Sequence, residues 1–121
     1  MNTRTRASEN FYLDEFQCSC CKFNDINPIL VEKIQRVRDE FGPIKITSAC
    51  RCEIWNEKVG GKKNSAHTKG HALDLECRSS RDRLKLLSAL FKEFTRIGVI
   101  SDGFIHVDID PDKAPNVCWT Y

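Results

Sequence analysis

No apolar run in this chain approaches the roughly 20 residues that a bilayer-spanning helix needs. The start carries basic residues with no apolar stretch behind them, so neither an anchor nor a signal peptide is expected, and the cytoplasm is the expected place of synthesis. An excess of charge of one sign is also missing. With 19 basic and 17 acidic side chains the net charge is +2, too near balance to mark a nucleic-acid or membrane-surface binder. There is no internal repeat and no low-complexity stretch, and 121 residues are too few for two ordinary domains. A chain of this size buries about two thirds of its unfolded surface, enough for one continuous core. The 40% hydrophobic and 30% charged content argues against disorder. Histidine is scarce, at three residues, which makes the position of each informative.

Cysteine, by contrast, is abundant. The seven cysteines cannot all pair internally because their number is odd. Cys18, Cys20 and Cys21 sit together, Cys50 and Cys52 flank Arg51, and Cys77 and Cys118 stand alone. In a reducing cytosol such clusters hold metal more often than they form disulfides. Ligand chemistry therefore allows a structural zinc site drawing on Cys18, Cys20 or Cys21 with Cys50 or Cys52, while spacing favours inert thiols.

The polar residues 1–10 read as a flexible leader to a single domain over 11–121. Asn27-Pro28 reads as a helix start, followed by Leu30, Ile34, Val37 and Phe41 at helical spacing and stopped by Gly42-Pro43. The β-branched alternation from Ile44 to Thr47 reads as a strand that delivers Ser48 to Arg51 into the loop at its end. A helical turn over Ile54 to Val59 is broken by Gly60-Gly61, and Lys62 to Gly70 reads as irregular. Ala72 to Glu76 resumes as a strand. Ser79 or Ser80 caps a helix whose Leu84, Leu87, Phe91 and Phe94 form the expected apolar face, ending near Gly98. Phe104 to Ile109 is the last clear strand, closed by Pro111. Helices against a small antiparallel sheet make an α+β domain.

A catalytic zinc site takes three nitrogen or carboxylate ligands and leaves one position open. His67, Asp74 and His106 supply such a set. Asp74 lies between Leu73 and Leu75, so it shares a strand face with Ala72 and Glu76. His106 shares a face with Phe104 and Asp108, opposite Ile105 and Val107. Two strands thus offer a carboxylate and an imidazole beside a loop histidine. Taken singly, each residue also has a plain reading: a solvated loop histidine, a strand-end cap and a satisfied half-buried histidine. A metal pair of His67 and His71 at helical spacing is the weaker alternative, since Gly70 is a poor helix interior and no glutamate follows the first histidine.

The run from Val59 to Asp74, with its Ser65-x-His67-x-x-Gly70-x-Ala72-x-Asp74 pattern, is preceded by Ser48-Ala49-Cys50-Arg51-Cys52 and followed by Phe104-Ile105-His106-Val107-Asp108. Together these resemble the zinc D-Ala-D-Ala carboxypeptidase family of peptidoglycan peptidases, in its small single-domain branch. That branch is related in fold to VanX-type dipeptidases and the hedgehog signalling domain, and Asn10 to Cys18 resembles its opening. The resemblance implies a zinc metallopeptidase that acts on peptidoglycan stem peptides, as a D,D-carboxypeptidase or endopeptidase, a phage endolysin among the options, with no nucleic-acid or membrane partner and a monomeric state. It implies zinc ligation by His67, Asp74 and His106, the set also reached from the residues. It further implies that Arg51 binds the substrate carboxylate, for which a planar fork is suited, and that Ser65 lies near the substrate, its plain reading being a turn serine.

Two positions depart from that pattern. Trp55 precedes Asn56 where relatives carry a histidine, and Gly103 stands where many relatives place the acid that serves as general base. Asp102 is the expected base. Asp108 is the rival for that role, and is otherwise expected to orient His106 from behind; Glu76 is next in line. Without an effective base the chain would be a non-catalytic zinc-containing module that binds cell-wall peptides.

Overall fold

A computed structural model describes residues 4–100 and 103–121. Asp102, the expected base, lies outside the described residues. The elements are α1 (Pro28–Phe41), β1 (Ile46–Ser48), α2 (Glu53–Lys58), β2 (Ala72–Cys77), α3 (Ser80–Leu90), β3 (Arg96–Val99), β4 (Gly103–Asp108) and β5 (Val117–Thr120). Short 3-10 turns occupy Leu13–Phe16 and Ala66–Lys69. The five strands form one sheet in the order β1-β2-β4-β3-β5, antiparallel throughout except for the parallel pair β3 and β5. The fold is α+β, as expected.

α1 begins where its sequence says. The Asn27 side chain accepts from the Ile29 N–H at 2.9 Å, Pro28 takes the first turn where its missing N–H costs nothing, and Gly42 ends the helix. Leu30, Ile34 and Val37 of α1 pack with Leu86, Ala89 and Leu90 of α3 against Leu73, Leu75, Ile97, Ile105 and Val107 of the sheet. Each such side chain contributes about 1.5–3 kcal/mol of transfer free energy when fully buried. Phe11 and Phe16 close one end of this core. Residues 4–10 make contacts as well: the Ser8 hydroxyl donates to Gln35 Oε1 at 2.6 Å, and Arg6 bridges to Tyr12. Among the described residues no helix is long and apolar enough to cross a membrane.

Three expectations about elements need correction. The second long helix ends at Leu90 rather than near Gly98, and Arg96–Val99 is a strand. Its buried face is Leu86, Ala89 and Leu90, with Leu87 packed beside them and Phe94 buried beyond the helix end, while Leu84 and Phe91 are exposed, because the i, i+3, i+4 row Leu86, Ala89 and Leu90 is the one turned to α1 and the sheet. The sheet does not end at β4: β5 adds a parallel edge beside β3. Residues 62–70 are also less irregular than expected, since they include the turn Ala66–Lys69.

Candidate metal centre

The helices cover one face of the sheet, and the other face carries the polar groups. In the register of β2 against β4, Asp74 stands directly opposite His106, with Leu73 opposite Val107 and Leu75 opposite Ile105. The period of two then sends both apolar rows into the core and both polar residues to the other side.

His67 reaches the same place from the loop. Ser65 caps the turn Ala66–Lys69 by accepting from the His67 N–H at 3.2 Å, and the Thr68 hydroxyl bonds the Ser65 carbonyl at 2.7 Å. Gly70 ends the turn at φ +72°, and a Cβ there would lie 2.1 Å from the Asp25 carbonyl oxygen, so only glycine fits. The serine, histidine and glycine of the motif are thus the cap, the payload and the exit of one turn. The loop after β1 is laced to it: the Arg51 N–H donates to the His67 carbonyl at 3.1 Å.

The three expected ligands come together. His67 Nε2 and His106 Nδ1 lie 3.3 and 3.0 Å from the same Asp74 oxygen, Oδ1, and all three side chains are buried. Their remaining ring nitrogens are held from behind. His67 Nδ1 is 2.7 Å from the Ala49 carbonyl, and His106 Nε2 is 2.7 Å from Asp108 Oδ2. In the neutral tautomers that ligation needs, each ring places its N–H on these acceptors and turns the other nitrogen's lone pair toward Asp74. Two lone pairs and a carboxylate oxygen converging at one point repel unless a cation stands among them. The donor set therefore fits a divalent metal of the zinc type. His71 stays outside this group: its Nδ1 is buried with no hydrogen-bond partner among the described residues.

A proton can take the cation's place, and the electrostatics are those of rings that donate to Asp74, so that a metal would displace those protons. Burial pushes the Asp74 carboxyl up, but hydrogen bonds and charge from His106 and His67 outweigh it and hold Asp74 well below the usual carboxylate range. Burial pushes His106 down, yet its hydrogen bonds to Asp108 and Asp74 raise it overall. Asp108 is likewise lowered, burial being outweighed by His106 and Arg96.

The other expected residues lie in or beside a cavity of about 710 Å³ that opens over His67, Asp74 and His106. Arg51 donates to Ser48 Oγ (3.1 Å), Asn56 Oδ1 (3.2 Å) and Asp74 Oδ2 (3.3 Å). Ser65 lines the cavity with its hydroxyl accepting in the turn. Asp108 uses both oxygens, Oδ2 on His106 and Oδ1 on Arg96 Nε (2.7 Å) and the Asp110 N–H (3.1 Å). Glu76 shares the Asp74 face but is not brought to the cavity; its carboxylate pairs with Arg78 at 3.0 Å.

Residues 9–108 match the family Peptidase M15. The chain belongs to the peptidase M15 family. No curated protein matches it. The stretch matched to Peptidase M15 contains Arg51, His67, Asp74, His106 and Asp108, but it stops short of β5. One wall of the cavity of this M15 peptidase comes from that edge strand. Trp119 lies against His106 at 5.6 Å between ring centroids, and the Arg96 guanidinium sits 5.0 Å from the Trp119 ring. Gly98 makes room for it, since a Cβ there would lie 2.6 Å from the indole. Arg96, Trp119 and Tyr121 had escaped notice in the sequence; a glycine inside an apolar strand pattern, the usual mark of a close approach, was the available signal.

Proposed function

We propose that this peptidase is a zinc metallopeptidase that cleaves peptide bonds of bacterial peptidoglycan, as a D,D-carboxypeptidase or endopeptidase. The observation that carries the reading is the convergence of His67 Nε2, Asp74 Oδ1 and His106 Nδ1 in the wall of a cavity that also presents Arg51. Zinc, when bound there, supplies a Lewis acid for the scissile carbonyl and makes water a stronger nucleophile near neutral pH.

The chain's own residues do the rest. Ala49 and Asp108 hold the two imidazoles in the tautomers that ligation needs. A guanidinium has five N–H groups, and Arg51 commits one from each of its three nitrogens to the protein, so each terminal nitrogen keeps one N–H for an incoming carboxylate. Lys62 and Lys63 add exposed positive charge at the same cavity, which suits an anionic stem peptide. Phe104, Trp119 and Tyr121 supply apolar surface that excludes water from the opposite side.

Among the described residues, Asp74 and Asp108 are the only carboxylates lining the cavity, and both are engaged. Asp102 is the proposed proton acceptor, because it lies two residues before Phe104, which does line the cavity. The same scarcity of free carboxylates favours a second reading, a zinc-containing module that binds cell-wall peptides without cleaving them. Incubation of the purified chain with defined stem peptides and cross-linked dimers, with and without chelator, separates the two. Release of a terminal residue or a split cross-link, abolished by chelator and restored by zinc, is the expected result. Binding with no product from any of these peptides would establish the module and end the peptidase reading.

A further inference from the structure

The Sγ atoms of Cys18, Cys20, Cys21 and Cys52 all lie within 4.8 Å of one another, away from the histidine site. We propose that these four cysteines form a second, structural metal site that takes a thiophilic divalent ion, zinc by preference. This proposal stands independently of the peptidase reading.

Geometry separates this arrangement from the alternatives. Cys18 and Cys20 sulfurs are 3.7 Å apart and Cys20 and Cys52 sulfurs 3.3 Å apart. A disulfide holds its sulfurs at about 2.05 Å. Zinc–sulfur bonds of about 2.3 Å in a tetrahedron set sulfur–sulfur edges near 3.8 Å. The spacing found here is too long for a disulfide and close to the edges of a tetrahedral four-sulfur site. Seven thiols scattered by chance over the surface would not meet in a group of four.

The backbone is shaped for the cage. Cys18 and Cys21 have two residues between them, Ser19 and Cys20, the C-x-x-C interval of a zinc site, although the cluster as a whole is spaced unlike a knuckle. The chain closes a tight loop around them: the Lys22 N–H donates to the Cys18 carbonyl (2.9 Å), the Cys18 N–H to the Phe23 carbonyl (2.6 Å), and Lys22 adopts φ +64°. Backbone N–H groups also point at the sulfurs, from Cys52 to Cys18 Sγ and from Trp55 to Cys52 Sγ, each at 3.4 Å. Such donors stabilise thiolate charge. The structure also chooses between the two cysteines that flank Arg51. Cys50 is buried with its thiol directed to Asn24 Oδ1 at 3.5 Å, and it is not one of the four.

Binding is an exchange of protons and ligands: the S–H protons leave to solvent and the ion sheds its bound waters as four metal–sulfur bonds form, with no change of oxidation state. The consequence is mechanical. The ion ties residues 18–21, which follow the turn Leu13–Phe16, to Cys52, the neighbour of Arg51. It thereby clamps the N-terminal segment onto the loop that carries the carboxylate-binding arginine, a closure over more than thirty residues that no disulfide supplies here.

The test uses the full chain purified in a reducing buffer and loaded with zinc alone or with cobalt(II) alone. The expected zinc content is two per chain, falling to one in His106→Ala and to one in Cys52→Ser or Cys20→Ser. Cobalt(II) should give intense thiolate-to-metal charge-transfer absorption in the parent and in His106→Ala. It should be lost in Cys52→Ser. If the cysteine variants fold poorly, alkylation of the parent decides: the exposed Cys20 and Cys21 and the half-buried Cys52 should be protected by zinc and react in chelator, while the exposed Cys118 reacts in both states. Unchanged zinc in the cysteine variants, absence of the charge-transfer band, a mass lower by two hydrogens from a disulfide, or alkylation of Cys20, Cys21 and Cys52 indifferent to zinc would each overturn the proposal. A parent that holds its cysteine metal but loses no zinc in His106→Ala would sink the histidine-site reading and leave this one standing.

Discussion

Replacing Asp108 with asparagine tests whether the site depends on the tautomer of His106. The carboxylate accepts on both oxygens: from His106 Nε2 at 2.7 Å, and from Arg96 Nε at 2.7 Å with the Asp110 N–H at 3.1 Å. An amide of the same shape has only one accepting end. If the oxygen faces His106, the NH2 meets Arg96 and the Asp110 N–H, and hydrogen bonds to a charged group worth about 1.5–3 kcal/mol each are lost in a buried place. The amide therefore keeps its oxygen on Arg96 and turns its NH2 to His106 Nε2. That ring nitrogen must then accept, the proton moves to Nδ1, and Nδ1 is the atom aimed at Asp74. A protonated nitrogen is no ligand. Losing an orienting partner of this kind typically costs about tenfold to a hundredfold in metal affinity, or about 1.4–2.7 kcal/mol. Zinc affinity is measured by competition with a chromophoric chelator, the tautomer by nitrogen NMR of the ring, and peptide cleavage is expressed per bound zinc. The expected variant binds zinc more weakly, carries its proton on Nδ1 when metal-free, and keeps most of its activity per zinc. Parent-like affinity with the proton still on Nε2 would refute the reasoning. Asp102→Asn should do the opposite, holding zinc normally while turnover falls by about a hundredfold to ten-thousandfold; an active Asp102→Asn beside an Asp108→Asn that is dead with full zinc would reverse the two roles.

Arg51→Lys should lower kcat/KM for peptides with a free terminal carboxylate far more than for amidated ones, because a point charge cannot replace the fork; equal cleavage of both by variant and parent rules out the carboxylate role. Asp110 is buried, and although burial pushes its carboxyl up, Lys113, the Asp112 N–H and Lys69 bring it down to about 2. A folded value below the unfolded one of about 3.9 contributes stability that is fully present above pH ~4 and is lost as pH falls through about 2, worth about 2 kcal/mol at most. Asp110→Asn should therefore be less stable at neutral pH and show a flatter acid limb in denaturant titrations, and a curve parallel to the parent's across that window would contradict the assignment. Gly98→Ala places a Cβ 2.6 Å from the Trp119 ring and should lower stability by about 1–3 kcal/mol while shifting the indole off His106. A parent-like melting temperature and KM in that variant would show that the wall is not packed as described.

Much of the site was legible because it depends on local rules. Alternation alone assigns Asp74 and His106 to the polar faces of their strands, opposite Leu73, Leu75, Ile105 and Val107. A serine cap and a glycine exit frame His67 in a turn, and Asn27-Pro28 starts α1, whatever the rest of the chain does. The family resemblance, too, rests on these same short stretches, and the match over residues 9–108 bears out its coarser part, the peptidase M15 family.

What the tertiary structure decided are the pairings between distant segments. A period of two says which face a residue takes but not which residue stands across from it, so the opposition of Asp74 and His106 needed the β2–β4 register. Asp108 shares its face with His106 by sequence, yet only the approach of Arg96 from β3 makes both its oxygens occupied acceptors. The extent of α3 was hidden because Leu84, Leu87, Phe91 and Phe94 keep a helical period past Leu90, where the helix stops so that the chain can enter β3 and pair with β4. β5 was hidden because it is a largely exposed edge strand, with no buried alternation to announce it; its hydrogen bonds to β3 make it a strand. Between Cys50 and Cys52 the spacing offers no preference. The direction each thiol takes from the loop after β1 makes the choice, one toward Asn24 and the other into the cluster, because that loop is held on both sides by backbone bonds to Phe16 and His67.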